Sequence, residues 1–242
     1  MTDGVPRAAA DDRSAFGALW GVLFEPARTF SSLASRPRWW LPFILITGLA
    51  VALSALVTPR IDMREVLRGA MEKSGREITS EQLEQQVTLA ENFSWVGTAS
   101  QAVLQPAIYL LIAAVFLALF RMFGSDLDFR QSLAVTTHAF MPFVVATVLS
   151  FPVVLSRTEI DMDEVRGGGF LKSNLAALAP DGTGSTLLSV LGSLDLFSLW
   201  TLALFATGYR IVARVSRGQA WGVVLALWAL YVAGKTAITA VF

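Results

Sequence analysis

The sequence predicts an all-α polytopic membrane protein with five transmembrane helices. The first observation is the composition: 54% of the 242 residues are hydrophobic, 16% are charged, and the mean hydropathy is +0.57. Soluble domains carry about 25% charged residues, so this chain is too apolar for that class. The second observation is length. A helix needs roughly 17–25 apolar residues to cross a membrane, and five runs qualify: 39–57, 99–120, 133–155, 187–209 and 221–241.

The scarcity of reactive side chains argues against an enzyme. The chain has no cysteine and one histidine, and no nucleophile lies at a spacing that pairs it with a base. The acidic residues of 159–164 lack the ligand spacing of a calcium loop, and the glycines of 167–169 lack the lysine of a phosphate loop. The formal net charge of zero indicates no nucleic-acid partner. We therefore expect a non-enzymatic protein with no cofactor and no metal.

The distribution of cations predicts the orientation of the spans. The N-terminal segment and the second and fourth loops together carry ten Lys and Arg residues, whereas the longer first and third loops carry eight. Cytoplasmic loops carry the excess of Lys and Arg in membrane proteins. We expect a cytoplasmic N-terminus and a C-terminus outside.

Two different segments precede the first span. Residues 1–13 are polar and small, which predicts a disordered tail. Residues 14–38 predict an amphipathic cytoplasmic segment, interrupted and restarted as a helix at Pro26. The apolar positions share one helical face: Phe16, Leu19, Trp20, Leu23 and Phe24. This face either lies in the membrane interface or packs on the protein's own cytoplasmic side, and both interpretations place Trp20 near the membrane.

Cations and aromatic residues before the first span predict an anchor at the membrane interface. Cations lie at the level of the headgroups and tryptophans form an interfacial belt in membrane proteins. We expect the anchor to consist of Trp20, Phe24, Arg36, Arg38, Trp39 and Trp40.

The first loop between spans is the largest soluble segment and predicts a helical hairpin. Asp62 is a suitable cap for one helix, and the sequence from Thr79 to Gln82 is a capping box for a second helix that continues through Glu91. The charges of this loop are typical of a solvated helix surface.

The third span contains the single histidine, His138, and two prolines, Pro142 and Pro152, each of which favours a kink. At 1.5 Å per residue, His138 lies about 8 Å inside the cytoplasmic end of the span. It is a candidate polar site within the membrane. It either relays protons or forms a hydrogen bond with a neighbouring helix beside Thr136 and Thr137.

The last two spans each contain one charged residue, Asp195 and Lys235. Counted from the outer ends of their spans, Asp195 lies about 12 Å deep and Lys235 about 9 Å deep. An isolated charge inside a membrane costs a few kcal/mol, so pairing is the least costly arrangement. The sequence therefore predicts an interhelical ion pair that fixes the register of two helices, with a coupling site for protons or a charged substrate as the alternative.

Three motifs in this chain resemble those of the Yip1 family of small polytopic membrane proteins. They are residues 194–200 (Leu-Asp-Leu-Phe-Ser-Leu-Trp) with Gly208 and the basic turn 210–218, residues 24–30 (Phe-Glu-Pro-Ala-Arg-Thr-Phe), and residues 129–135 with Pro142. Their order and spacing and the five-span layout agree over about 16–241. The short N-terminal segment and compact loops resemble prokaryotic members, which implies a plasma (inner) membrane location. The resemblance does not imply GTPase binding, which is associated with eukaryotic members.

These observations predict a non-catalytic function. We expect a membrane organiser or a scaffold that binds a membrane-protein partner, or a homo-oligomer, within the lipid bilayer. The alternative is a small transporter, or an accessory subunit of a transport complex, that uses Asp195 and Lys235.

Overall fold

The computed structural model describes residues 15–75, 79–162, 169–180 and 182–241. The predicted disordered tail, 1–13, lies outside the described residues. Within them the chain forms eleven α-helices and no strands: α1 Ala15–Phe24, α2 Pro26–Ser35, α3 Trp40–Val57, α4 Met63–Ser74, α5 Ser80–Asn92, α6 Ser94–Met122, α7 Phe129–Ala139, α8 Met141–Leu155, α9 Ser185–Gly192, α10 Leu196–Val212 and α11 Arg217–Val241.

Among the residues that the structure describes, four helical segments are long and apolar enough to cross a membrane: Trp40–Arg60, Ser94–Met122, Phe129–Leu155 and Arg217–Thr239. The predicted all-α membrane architecture is confirmed. The count of five spans is not, because the predicted span 187–209 is two helices, α9 and α10, separated at residues 193–195. The side chain of Asp195 accepts hydrogen bonds from the backbone N–H groups of Phe197 and Ser198. It therefore caps the start of a new helix inside the apolar run.

The two prolines of the third predicted span behave differently. Pro142 has no N–H to donate to the carbonyl of His138, and the helix is interrupted at Phe140, where α7 ends and α8 begins. Pro152 lies inside α8 without ending it. The interruption at Phe140 separates a polar helix, α7, from an apolar one, α8.

The loop between α3 and α6 contains the predicted hairpin. Asp62 caps α4, because its side chain accepts hydrogen bonds from the backbone N–H groups of Arg64 and Glu65. Thr79 and Gln82 form the predicted capping box of α5. A bidentate pair between Arg64 and Glu84 joins the two helices. The Arg64 guanidinium lowers the pKa of the Glu84 carboxyl, mainly by donating hydrogen bonds to it. The exposed pair therefore joins the hairpin more strongly above the pKa of Glu84 than below it.

The helices pack in two connected groups. Helix α3 packs on α6 and α8, and α10 packs on α2, α7 and α11. A column of aromatic rings lies between the two groups. The ring of Tyr209 stacks on Phe116 with a centroid separation of 4.5 Å and on Phe120 with a centroid separation of 4.7 Å. Phe205 continues the column and meets Phe140 edge to face at 5.2 Å. The core of the molecule is therefore centred on α6, α7 and α10.

The α1–α2 segment is part of this core. Phe30 and Leu33 of α2 are buried against α7 and α10, and the Gln131 side chain donates to Ala34 O at the C-terminal end of α2. Helix α1 buries Leu19 and Val22 on its inner side. Pro26 begins α2 as the sequence predicts. Of the two interpretations of this segment, the structure supports packing on the protein's own helices for one of its faces.

A closely packed glycine makes the docking of α2 possible. A Cβ atom at Gly208 of α10 would lie 2.7 Å from Val135 Cγ1 and 2.8 Å from Phe30 Cε1. Real Cβ atoms essentially never approach other atoms this closely. Only glycine at this position lets the Phe30 ring and α7 contact the α10 backbone.

Candidate functional site

The break between α9 and α10 is the polar centre of the C-terminal half. Asp195 accepts hydrogen bonds from the N–H groups of Phe197 and Ser198, both at 3.0 Å, and from the Ser198 hydroxyl. Ser173 Oγ donates to the same carboxylate at 3.2 Å. The carboxylate is thus held by four donors at the start of a helix, where the helix dipole also favours negative charge.

The loop before α9 closes this break from the side. Leu175 N–H donates to Leu194 O, and Leu196 N–H donates to Ser173 O, both at 3.2 Å. These two bonds pair residues 173–175 with residues 194–196 in an antiparallel bridge. The backbone groups that the break releases from the helix therefore find hydrogen-bond partners in the loop.

Lys235 reaches the break from α11, but it does not contact Asp195. Its Nζ atom lies 3.4 Å from Ser193 Oγ, and one turn further Thr239 Oγ1 lies 3.4 Å from Ser189 Oγ. Among the described residues, no ion pair joins Lys235 to Asp195. The direct pair that the sequence predicts is therefore absent from this geometry, because the four donors at the helix start occupy the carboxylate. The two charges lie at the same break, with Ser193 next to the ammonium group.

His138 is buried in α7, and the structure does not join it to another helix by a hydrogen bond within the described residues. Its exposed fraction is 1%, and its Nδ1 atom lies 2.9 Å from Ala134 O, one turn earlier in its own helix. Because a carbonyl oxygen can only accept, Nδ1 carries the proton of the neutral ring. Thr137 likewise donates to its own helix, to Leu133 O.

A buried network of hydrogen bonds between helices instead converges on Tyr209, which the sequence did not single out. Ser132 Oγ donates to Ala113 O at 2.6 Å and lies 2.8 Å from Tyr209 Oη, and Thr136 Oγ1 lies 3.0 Å from the same oxygen. Because Ser132 donates its hydroxyl proton to Ala113 O, the Tyr209 hydroxyl donates a hydrogen bond to Ser132 Oγ and accepts one from the Thr136 hydroxyl. This network joins α6, α7 and α10. The four-residue spacing of Ser132 and Thr136 on one helix face was its sequence signal.

The Tyr209→Phe variant tests this network. Removal of the hydroxyl leaves the buried Thr136 O–H without its acceptor, and we expect a loss of roughly 1–3 kcal/mol in the free energy of unfolding. The measurement is unfolding of the purified protein in mild detergent. Tyr231→Phe is the control because Tyr231 is exposed, and it should unfold like the wild type. Equal stability of the two variants would contradict the network.

Helix α1 presents an exposed apolar face in addition to its buried one. Phe16, Trp20 and Phe24 follow one another at four-residue spacing and are 68%, 64% and 77% exposed. We call these three residues the α1 stripe. The opposite side of the same helix is buried in the bundle. Of the other predicted anchor residues, Trp40 is about half exposed and Trp39 packs its ring edge to face on Phe43.

The described residues contain no group of three or more His, Cys, Asp or Glu side chains that could hold a metal ion.

Comparison with known proteins identifies the family. The sequence model of the Yip1 domain matches residues 20–238, nearly the whole chain from α1 to α11. The chain belongs to the Yip1 domain family. The matched range includes Asp195, Lys235 and Tyr209, so the helix break and the tyrosine network both lie inside the Yip1 domain. It also begins at Trp20, so α2 and the last two residues of the α1 stripe are part of the domain.

A relative of this Yip1 protein supports its membrane location. The chain is 21% identical over 203 residues to membrane protein YknW of Bacillus subtilis (strain 168), a match that covers 84% of this chain and 81% of the relative. That relative is bacterial, in agreement with the resemblance to prokaryotic members. No solved structure matches the chain. The chain is therefore a Yip1 membrane protein, and its similarity to a bacterial relative is consistent with the prokaryotic type.

Proposed function

We propose that this Yip1 protein is a non-enzymatic membrane organiser that binds a membrane-protein partner through the α1 stripe. The observation that carries the proposal is that α1 is buried on one face and exposed on the other. Leu19 and Val22 fix the helix in the bundle, whereas Trp20 and its two aromatic neighbours are left exposed in a fixed orientation.

Preformed aromatic residues suit partner binding. Tryptophan and other large aromatic residues dominate the energetics of interfaces, and a side chain on an ordered helix loses little conformational freedom on binding. The neighbouring Glu25 and Arg28 form an exposed ion pair with a side-chain separation of 3.3 Å. The stripe is thus bordered by charge at its C-terminal end, as interfaces with an apolar centre and a polar rim are.

Crosslinking in native membranes tests the proposal. A photoreactive amino acid replaces Trp20, and the captured molecules are identified by mass spectrometry. We expect one dominant membrane-protein partner, or a second copy of this chain, at Trp20. The matched control places the same amino acid at Val22, which is buried, and should give crosslinks only within the chain. Capture of lipid alone at Trp20 would contradict a partner-binding role.

The helix break supports a second candidate function, an accessory subunit of a transport complex or a small transporter. Transporters place discontinuous helices and charged residues at their binding sites, and here Asp195 and Lys235 meet such a break. Asp195→Asn removes the charge but keeps an efficient helix cap. Ion-dependent flux in proteoliposomes that is abolished by Asp195→Asn would favour this candidate. Absence of flux in the wild type would reject the autonomous transporter.

A further inference from the structure

Lys235 carries a positive charge that the described protein groups do not neutralise. Its ammonium group has three N–H donors. The acceptor beside it is Ser193 Oγ, and the 3.4 Å separation is longer than that of a typical hydrogen bond. The neighbouring carboxylate, Asp195, is held by four donors from its own helix start and from the preceding loop. An anion from outside the chain would therefore find donors and a counter-charge at Lys235.

The position of Lys235 along α11 indicates which anion is near. Helix α11 begins at Arg217 in the basic turn, and cations at the end of a span lie at the level of the lipid headgroups. At 1.5 Å per residue, Lys235 lies about 27 Å further along the helix. The hydrocarbon core of a membrane is about 30 Å thick. Lys235 therefore lies close to the headgroups on the opposite side of the membrane, where a lysine side chain extends its ammonium group toward them.

Helix α11 is accessible to lipid at this level. It packs on α9 and α10, whereas Leu230, Tyr231 and Ile238 are 69%, 63% and 64% exposed. These three residues belong to a candidate membrane span, so their neighbours in a membrane are lipid molecules. Lys235 itself is half-buried and lies at the seam between α11 and α9. A lipid beside α11 can therefore bring its headgroup to this seam.

Hydroxyl groups line the seam between α9 and α11 on both sides of the ammonium group. Ser193 donates to Ser189 O at 2.9 Å, so its Oγ atom faces Lys235 as an acceptor. One turn further along α11, Thr239 Oγ1 lies 3.4 Å from Ser189 Oγ. Lysine binds phosphate as a point charge, and hydroxyl groups rotate to donate to oxygen atoms nearby. A cation beside hydroxyl groups suits a phosphate group.

We propose that the seam between α9 and α11 binds a phosphate group at Lys235, with the hydroxyl groups of Ser189 and Thr239 beside it. The headgroup of a phospholipid supplies such a group at this level of the membrane, and free phosphate is the other source. The phosphate provides the negative charge that Asp195 does not bring into contact with the ammonium group. The site does not depend on the partner proposed for the α1 stripe, and unlike the transport candidate it requires no ion flux.

Two lipids that differ only in a phosphate group test the site. They are dioctanoyl phosphatidic acid and dioctanoylglycerol, and native mass spectrometry measures their binding to the full-length protein in mild detergent. We expect the wild type to bind phosphatidic acid more tightly than dioctanoylglycerol. Lys235→Met should weaken the binding of phosphatidic acid about tenfold, the effect of one hydrogen bond to a charged group, and should not change that of dioctanoylglycerol. Lys235→Arg keeps the charge and should retain most of the affinity.

Lys172→Met is the matched control, because Lys172 is an exposed lysine in the loop that borders the helix break. This variant should bind phosphatidic acid like the wild type. Equal affinity of the wild type and Lys235→Met would overturn the proposal and leave Lys235 a structural role at the C-terminal end of α9. Equal weakening by both lysine variants would show a general attraction between cations and the lipid, and would overturn it too. The unfolding midpoint without lipid verifies that each variant is folded, and Lys235→Gln replaces Lys235→Met if the latter is not.

Inorganic phosphate distinguishes the two sources of the phosphate group. If the ligand is a lipid headgroup, an excess of inorganic phosphate should leave phosphatidic acid bound to the wild type, because the acyl chains add apolar contacts with α11. If the ligand is free phosphate, the same excess should displace phosphatidic acid from the wild type, and inorganic phosphate alone should bind to the wild type more tightly than to Lys235→Met.

Discussion

Replacing Gly208 with alanine is expected to destabilise the protein by roughly 1–3 kcal/mol, the usual cost of overpacking a well-packed core. The new methyl group would overlap with Val135 on one side and with the Phe30 ring on the other. Since Phe30 is fully buried, α2 has to move away from α10 to relieve the overlap. The larger Gly208→Leu change should detach α2 altogether. The measurement is the midpoint of thermal unfolding in detergent.

Gly222→Ala is the matched control for this prediction. Gly222 lies in α11, and a Cβ atom there would meet no other atom within 4 Å. Alanine is favoured over glycine inside a helix by about 1 kcal/mol, so this variant should be as stable as the wild type or more stable. In the Gly208→Ala background, Phe30→Leu should recover part of the loss, because it removes the atoms that clash. If Gly208→Ala and Gly222→Ala are equally stable, the close packing of α2 on α10 is wrong.

The Asp195→Ala variant has the second large expected effect. It removes a carboxylate that accepts from two backbone N–H groups and two hydroxyl groups. Loss of a helix N-cap alone costs about 0.5–2 kcal/mol, and the unpartnered Ser173 and Ser198 hydroxyl groups add to that cost. Asp195→Asn should be much milder, because asparagine caps helices about as well as aspartate does.

This pair of variants separates the cap from the predicted ion pair. If Asp195 mainly neutralised Lys235, asparagine and alanine would destabilise equally, since both remove the charge. Lys235→Met should then be as harmful as either. The cap instead predicts a clear order, with Asp195→Ala the least stable variant and Lys235→Met close to the wild type. Unfolding of all three in the same detergent decides between these orders.

Local signals in the sequence predict local structure well in this chain. The caps at Asp62 and Thr79, the restart at Pro26 and the interruption near Pro142 each depend on residues within one or two turns. The same signals also identify the membrane class, because length and hydropathy of a run suffice to predict a spanning helix. The predicted span 187–209 is divided into two helices for a local reason as well: one aspartate inside an apolar run scarcely alters its hydropathy, yet it is an efficient helix start.

The arrangement of the candidate sites could not be predicted in the same way. Phe30 and Gly208 meet across most of the chain's length, and no pattern near either residue indicates the other. Tyr209 looks like one more aromatic residue of an apolar run until α7 brings Ser132 and Thr136 to its hydroxyl. The pairing of Asp195 with Lys235 was predicted from their two opposite charges alone. The structure adds nearer donors from the carboxylate's own helix and from the preceding loop.

The two faces of α1 are the central feature of the proposed function, and cysteine labelling of the purified protein, away from any partner, tests them most directly. The natural chain has no cysteine, so single cysteines can be placed along α1 without background. A membrane-permeant maleimide should modify Phe16→Cys, Trp20→Cys and Phe24→Cys rapidly. It should modify Leu19→Cys and Val22→Cys slowly, because these positions are buried against the bundle. Equal rates at all five positions would show that α1 is not docked, and would contradict the account.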